Sequence, residues 1–351
     1  MELKQRIDAF VQLGSWLTDF LKFENLYQIE NDDFSELSFA VETAKHKNGW
    51  FTQAEVRRSL EGIILMLQNK ALQEWISTYK FKERKLCIAV IMAGNIPAVG
   101  FHDFLAVLIS GFSFVGKTST QDELILPMLA KKLKSIEPNF GTMIRFTKDR
   151  LEKFDAVIAT GSNNSARYFE RYFGKYPNII RKNRTSVSVI DNETTDDQLT
   201  HLGKDIFEYY GLGCRNVSKI YIPEKFEIDR FFKAIYSFGY VIENNKYANN
   251  YLYNQTVYLM NSQKLLDNNF VILKEDKNLH SPIGVIFYER YKNKADVMGY
   301  LSDNKEHIQI VVSSDKIDFG KGQSPTLIDY ADNINTLNFL ANLARQQGNS
   351  N

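Results

Sequence analysis

The chain has 351 residues, 44% of them hydrophobic and 24% charged, with a formal net charge of +1. That balance fits a folded protein with room for two domains, and it gives no global attraction to nucleic acid or to an anionic membrane surface. Its two cysteines, Cys87 and Cys214, exclude a disulfide framework and a zinc site, so no metal is expected. The longest apolar runs, Leu86–Ala93 and Phe104–Val115, are too short for a membrane span. Met1–Arg6 lacks the basic-then-apolar order of a signal peptide. The expectation is a cytoplasmic protein.

Residues 3–21 place Leu3, Ile7, Phe10, Leu17 and Leu21 on one stripe, which predicts an amphipathic helix. A second helix opens at Thr52-Gln53-Ala54-Glu55, in the form of a capping box, and runs through Leu67 towards Trp75. These opening segments carry no evident chemistry and read as helices packing on a later sheet. Leu86–Ile91 is a continuous apolar run rich in β-branched residues, the pattern of a strand buried on both faces, and it ends at the turn Ala93-Gly94-Asn95-Ile96-Pro97. Phe101–Ser110 reads as a helix and Phe112–Val115 as a strand ending at Gly116-Lys117-Thr118-Ser119. Glu123–Leu133 has helical spacing. Ala156–Ala159 is a third strand, ending at Thr160-Gly161-Ser162, and Val187–Ile190 a fourth. Lys219–Ile222, Ile283–Phe287 and Ile308–Val312 continue the strand series, Phe319–Gln323 is a glycine loop, and Gln346–Asn351 is a polar tail expected to be disordered. Strands alternating with helices predict a parallel α/β sheet, which binds ligands at the C-terminal edges of its strands.

Cys214 follows a helix-patterned segment carrying Leu199, Leu202, Ile206, Tyr209 and Tyr210, which the pair Gly211-x-Gly213 is expected to end. A thiol on such a turn, beside backbone N–H groups and Arg215, can be reached and ionised; a small buried residue is the bland alternative. Gly111–Thr118 fits the Walker A pattern literally, yet its intervening Phe-Ser-Phe-Val is bulky and strand-forming, unsuited to a phosphate cradle. Thr160–Ser165 leads from strand to helix, a place for an anion or merely a cap. Arg167, Arg171, Lys175, Arg181, Lys182 and Arg184 form a basic cluster, read as a solvated face or as a coenzyme-phosphate site.

Taken in order, these turns resemble the aldehyde dehydrogenase superfamily. Asn95-Ile96-Pro97 is similar to its Asn-Phe-Pro motif, Lys117-Thr118-Ser119 to its Lys-Pro-Ser/Ala, and Thr160-Gly161-Ser162 to its Thr-Gly-Ser turn. Gly213-Cys214 resembles its Gly-Gln-x-Cys nucleophile, and Phe319-Gly320-Lys321-Gly322 its late Phe-Gly-Gly-x-Lys. Asn183–Val187, Gly211–Ser218 and Ser324–Asp332 resemble most closely the LuxC-type fatty acyl-CoA reductases within that superfamily.

The resemblance implies an aldehyde-dehydrogenase-like α/β fold: N-terminal helices with a Rossmann-type coenzyme domain over 1–186, a catalytic domain over 187–325, and a C-terminal segment over 326–351. It implies an acyl-CoA substrate attacked by Cys214, with the Asn95 amide and the Cys214 N–H stabilising the oxyanion. The coenzyme would be held by Thr160, Gly161 and Ser162 at its pyrophosphate and by Lys117, Ser119 and Thr120 at its adenosine ribose. Relatives that prefer NAD place a glutamate just past that lysine. Thr118-Ser119-Thr120 lacks it, so NADPH is expected, with NADH as the alternative. The segment 180–187 lacks the glutamate with which hydrolytic relatives activate water, and the carboxylate that holds the nicotinamide ribose has no counterpart near Asn278–Ile283. Little room lies between Trp75 and Leu86 for the hairpin by which many relatives oligomerise, leaving the oligomeric state open. A P-loop nucleotide hydrolase using Lys117, Thr118 and Asp191, and a non-catalytic binder of coenzyme or acyl-CoA on the same fold, are the rival readings.

Overall fold

The structure, a computed structural model, describes residues 1–23, 32–81 and 84–346. The tail beyond Gln346 lies outside them. The chain divides into two compact units, Met1–Lys182 with Thr326–Asn351, and Asn183–Pro325. The described part of the segment 326–351, residues 326–346, therefore belongs to the first unit and does not stand apart as expected.

The first unit opens with four helices: α1 (Leu3–Leu21), α2 (Asp32–Lys47), α3 (Gln53–Met66) and α4 (Asn69–Ser77). Thr52 caps α3 by accepting from the Glu55 N–H, and the helix stops at Met66, so the single helix expected through Trp75 is two. A parallel sheet follows, with β1 (Cys87–Ile91), α5 (Phe101–Ile109), β2 (Ser113–Lys117), α6 (Ile125–Ile136), β3 (Ile144–Phe146), β4 (Ala156–Thr160), α7 (Asn163–Phe173) and β5 (Asn178–Arg181). Its strand order is β3-β2-β1-β4-β5, with every neighbouring pair parallel. The order reverses between β1 and β4, which is where open α/β sheets take ligands. Helix α1 packs its Phe10 edge-on to Phe104 of α5, which stacks edge-on against Phe114 of β2 at 5.0 Å. All three rings are buried, at about 1.5–3 kcal/mol each. Among the described residues no strand lies between α4 and β1.

The strand expected at Val187–Ile190 begins a second sheet. The second unit comprises β6 (Thr185–Val189), α8 (Asp196–Phe207), β7 (Val217–Pro223), α9 (Ile228–Ala234), α10 (Asn245–Met260), β8 (Leu266–Asp267), β9 (Ile272–Glu275), β10 (Val285–Tyr291), α11 (Lys294–Asp303) and β11 (Ile308–Val312). The strand order is β11-β6-β7-β10-β9-β8, parallel except for β8 against β9. Val187, Val189, Tyr221, Val297, Leu301 and Ile308 close the core on one side. No described helix is long and apolar enough to cross a membrane.

Candidate active site

In the first unit, three of the turns singled out in the sequence follow the C-terminal ends of the adjacent strands β2, β1 and β4. The Asn95 turn after β1 is clamped along its length. Asn48 donates to the Gly94 carbonyl at 3.3 Å, Ser59 to the Pro97 carbonyl at 2.6 Å, and Ala98 N–H to Asp122 at 2.7 Å. A Cβ on Gly94 would lie 2.5 Å from Ser119 Oγ, so only glycine lets the two turns touch. Burial pushes the Asp122 carboxyl up to about 7 against the pull of the Ala98 N–H. Asn95 itself is half-buried and Thr120 exposed.

Lys117 is the last residue of β2 and donates to the Asp149 carbonyl at 3.0 Å, while Ser119 Oγ accepts from the Gln121 N–H. This overturns the P-loop reading. Ser113, Phe114 and Val115, three of the four residues between Gly111 and Gly116, are strand paired to β1, and the next helix begins only at Ile125. In the second unit, Asp191, the proposed metal acid of that reading, is bonded by Lys294 and Ser314, which help to hold it down at about 2 against burial. Among the described residues no cluster of three His, Cys, Asp or Glu side chains could hold a metal.

Thr160 ends β4, Gly161 follows, and Ser162 caps α7 by accepting from the Ser165 N–H at 3.1 Å. A Cβ on Gly161 would meet Ser165 and Phe169 at 2.9 Å, so glycine sets the turn flat on the helix start. Beside these turns lies a cleft of about 590 Å³, lined by Ile91 and Lys117 from the strand ends, Arg150 and Phe154 from the loop before β4, and the ring-bearing face of α7 with Lys175. The basic cluster expected over Arg167–Arg184 is not one surface. Arg181 is buried and ion-paired with Asp103, and Lys182 pairs with Glu170. Burial would raise the Asp103 carboxyl, but the Arg181 guanidinium holds it below its ordinary value. Only Lys175 of that set lines the cleft.

In the second unit the cysteine turn is fixed by bonds the sequence did not reveal. Helix α8 ends at Phe207, before the glycines expected to end it. Tyr209 (φ 52°), Tyr210 (φ 55°) and Gly211 (φ 76°) then make three consecutive left-handed residues. Two bulky residues held there are a strained arrangement of the kind found at functional turns. Asn216 reaches back with its amide to the Asp205 and Glu208 carbonyls at 3.1 and 2.8 Å, satisfying the helix end, and accepts from the Gly213 N–H at 2.8 Å. Ser186 Oγ of β6 donates to the Cys214 carbonyl at 2.8 Å, and Arg215 Nε donates to the Gly322 carbonyl.

The glycine loop is held in turn by Asp205, which accepts from Gly320 and Gly322 N–H at 2.6 and 2.7 Å. Burial lifts that carboxyl to about 7, against the two N–H donors and Arg215. Cys214 is half-buried. Pro282 and Ile283 line, with Tyr210 and Gly211, a pocket of about 30 Å³, room for one water. Asp205, Ser186 and Asn216 went unrecognised because an isolated polar residue in a helix or strand pattern carries no sign of its partner.

The family model for LuxC acyl-CoA reductases matches residues 15–237. The chain belongs to that family. Solved structures share the fold of this LuxC-family chain. Aldehyde dehydrogenase 21 from Physcomitrella patens, in complex with its reaction product succinate, is 12% identical over 98% of this chain and 85% of that one, with a TM-score of 0.65. A mutant of aldehyde dehydrogenase C from Pseudomonas syringae, with NAD+ and octanal, is 11% identical over 86% and 70%, TM-score 0.63. A mutant aldehyde dehydrogenase from Bacillus cereus is 12% identical over 85% and 69%, TM-score 0.59. At these identities the likeness is one of fold. No curated protein sequence matches the chain.

Proposed function

We propose that this LuxC-family chain reduces an acyl-CoA to the aldehyde through a thioester on Cys214, with NADPH as reductant. The observation that carries the reading is the cysteine turn. Ser186, Asn216 and Arg215 fix it, and the segment Arg181–Val189, whose Ser186 meets it, has no carboxylate. Without a base to activate water, a Cys214 thioester is spared hydrolysis and left for reduction.

Cys214 Sγ attacks the thioester carbonyl, the C–S bond to CoA breaks, and the thiol proton ends on the departing CoA. The oxyanion of each tetrahedral stage takes hydrogen bonds from the Cys214 N–H and, in the role assigned to it, the Asn95 amide. A bound NADPH supplies the hydride that reduces the acyl carbon. Collapse then breaks the bond to Cys214, releasing aldehyde and a thiolate that takes a proton from water. What supports a dinucleotide here is the cleft that Lys117 lines, with the turns of Ser119 and Ser162 following the ends of β2 and β4 in the same sheet. Thr160, Gly161 and Ser162 would hold its pyrophosphate, and Lys117, Ser119 and Thr120 its adenosine ribose. A binder without turnover is the second reading, favoured by the missing ribose carboxylate near Asn278–Ile283.

The deciding experiment follows NADPH oxidation with a panel of acyl-CoAs, wild type beside Cys214→Ala, with mass spectrometry of the acylated peptide. Turnover and an adduct at Cys214, both lost in the variant, are expected. A folded wild type that turns over no acyl-CoA with either coenzyme sinks the reductase reading and leaves the binder.

A further inference from the structure

Of the carboxylates described in the second unit, only Asp205 is buried. A buried carboxyl is costly unless it is hydrogen-bonded, and the bonds of this one all run towards the cysteine turn or the glycine loop. Each side-chain oxygen takes one main-chain N–H of that loop, Oδ1 from Gly322 at 2.7 Å and Oδ2 from Gly320 at 2.6 Å. The loop lies so close to α8 that side chains are excluded from it there. A Cβ on Gly322 would stand 2.8 Å from Asp205 Oδ1, and one on Gly320, where φ is 82°, 3.0 Å from His201 Cβ. The main-chain carbonyl of Asp205 accepts as well, from the Asn216 amide at 3.1 Å and from the Gln323 amide at 3.3 Å.

These bonds form two chains that end on the two neighbours of the thiol. From the carbonyl the path runs through Asn216, whose side-chain oxygen accepts the Gly213 N–H at 2.8 Å. From the carboxyl it runs through Gly322, whose carbonyl accepts from Arg215 Nε. Cys214 stands between Gly213 and Arg215, so it is anchored on both sides to a single residue of α8. Burial raises the Asp205 carboxyl while Gly320, Gly322 and Arg215 pull it back, so the guanidinium and the carboxyl sense one another across the loop. We infer that Asp205 is a positioning residue for Cys214, acting through the glycine loop to hold the Arg215 guanidinium beside the thiol. A cation fixed at that range favours the thiolate, whereas an arginine released from the loop carries its charge out into water. The inference rests on the reading above, in which Cys214 is the nucleophile, and it gives the glycine loop a part in the chemistry without contact to substrate.

The test measures the rate of Cys214 alkylation by iodoacetamide near neutral pH on the full chain, at the peptide level, with Cys87 of the first unit as the reference thiol. It needs neither coenzyme nor acyl-CoA. Asp205→Ala and Arg215→Met should each slow that rate about tenfold, and Asp205→Asn, which keeps the shape and one acceptor, about fivefold. In the Arg215→Met background neither Asp205 substitution should change the rate by more than about twofold, because the group it acts through is gone. A purely structural role would not produce that non-additivity. Circular dichroism checks that each variant is folded, and where Asp205→Ala is not, the cycle built on Asp205→Asn decides. Effects that multiply in the double variant, or rates unchanged in both Asp205 variants, overturn the inference. So does faster alkylation, the result expected if the carboxylate merely cancels the cation. With acyl-CoA and NADPH, Asp205→Asn should lower kcat about fivefold and leave KM within about twofold. If the rates are coupled while the wild type turns over no acyl-CoA, the reductase reading fails and this one stands. Turnover with effects that multiply sinks this one alone.

Discussion

Asp205→Ala separates two forces that act on the same buried carboxyl. The side chain is fully buried and accepts the Gly320 and Gly322 N–H groups, so its loss leaves one buried and one half-buried donor unpaired. At about 1–3 kcal/mol each, the variant should be less stable by about 2–6 kcal/mol near pH 5. Burial has raised the folded pKa to about 7 from an ordinary 3.8. A carboxyl raised on folding contributes stability that is fully present below the unfolded value and is lost as pH climbs through the folded one. Between about pH 5 and pH 8 the wild type should therefore lose about 2–3 kcal/mol that the variant does not, and the gap between them should narrow. If the two N–H bonds dominated instead, the folded value would lie below 3.8 and the gap would stay level between about pH 5 and pH 8. Trp16, Trp50 and Trp75 all lie in the first unit, so their fluorescence would miss this event. Urea unfolding followed by far-ultraviolet circular dichroism, with hydrogen exchange over residues 319–323, reads it. A gap that fails to narrow between about pH 5 and pH 8, or unchanged exchange in the loop, refutes the reasoning.

Three further outcomes follow from the packing. Arg181→Met should cost about 3–5 kcal/mol in urea unfolding by stranding the buried Asp103, and adding Asp103→Leu should recover most of it. Asp122→Ala leaves the Ala98 N–H without its acceptor at a left-handed position. It should cost about 1–3 kcal/mol in melting and, by loosening the Asn95 turn, lower kcat with acyl-CoA more than it raises KM. Gly322→Ala puts a methyl 2.8 Å from Asp205 Oδ1, so it should destabilise by about 1–3 kcal/mol and change the alkylation rate of Cys214, read at the peptide level. Cys87 serves as the internal control there, its thiol held up by burial.

The strongly apolar strands were legible because both faces of β1, β2 and β4 are covered, which leaves an unbroken run in the sequence. Strands β3 and β5 were not. Ile144-Arg145-Phe146 and Asn178–Arg181 are short and carry charges, one of them the buried Arg181 whose partner Asp103 is 78 positions away. Helix α2 was missed although Phe34, Leu37, Val41 and Ala44 recur at helical steps, because short polar runs dilute the stripe. The sequence pattern carries α8 on to Tyr210, three residues past its end at Phe207, because glycine is the usual stop while Tyr209 and Tyr210 already bear the left-handed turn. The turns at Asn95, Lys117 and Thr160 could be read because strand ends announce themselves. The cleft could not, although Tyr168, Phe169, Tyr172, Phe173 and Tyr176 form a stripe that pattern alone assigns to a core.

The return of residues 326–346 to the first unit sets an order of assembly. Leu327, Tyr330, Leu337, Leu340 and Leu343 belong to the core that α1 and α5 begin, and Trp75 donates to the Tyr330 hydroxyl at 2.8 Å across 255 positions. During synthesis, then, the whole cysteine-bearing unit leaves the ribosome before its predecessor can be completed. The nascent sheet waits with an open apolar seam, and a chain halted at Pro325 would hold a finished second unit tethered to an unfinished first. Insertions between the two are tolerated only where they let the closing helix, Thr336–Gln346, find its seam.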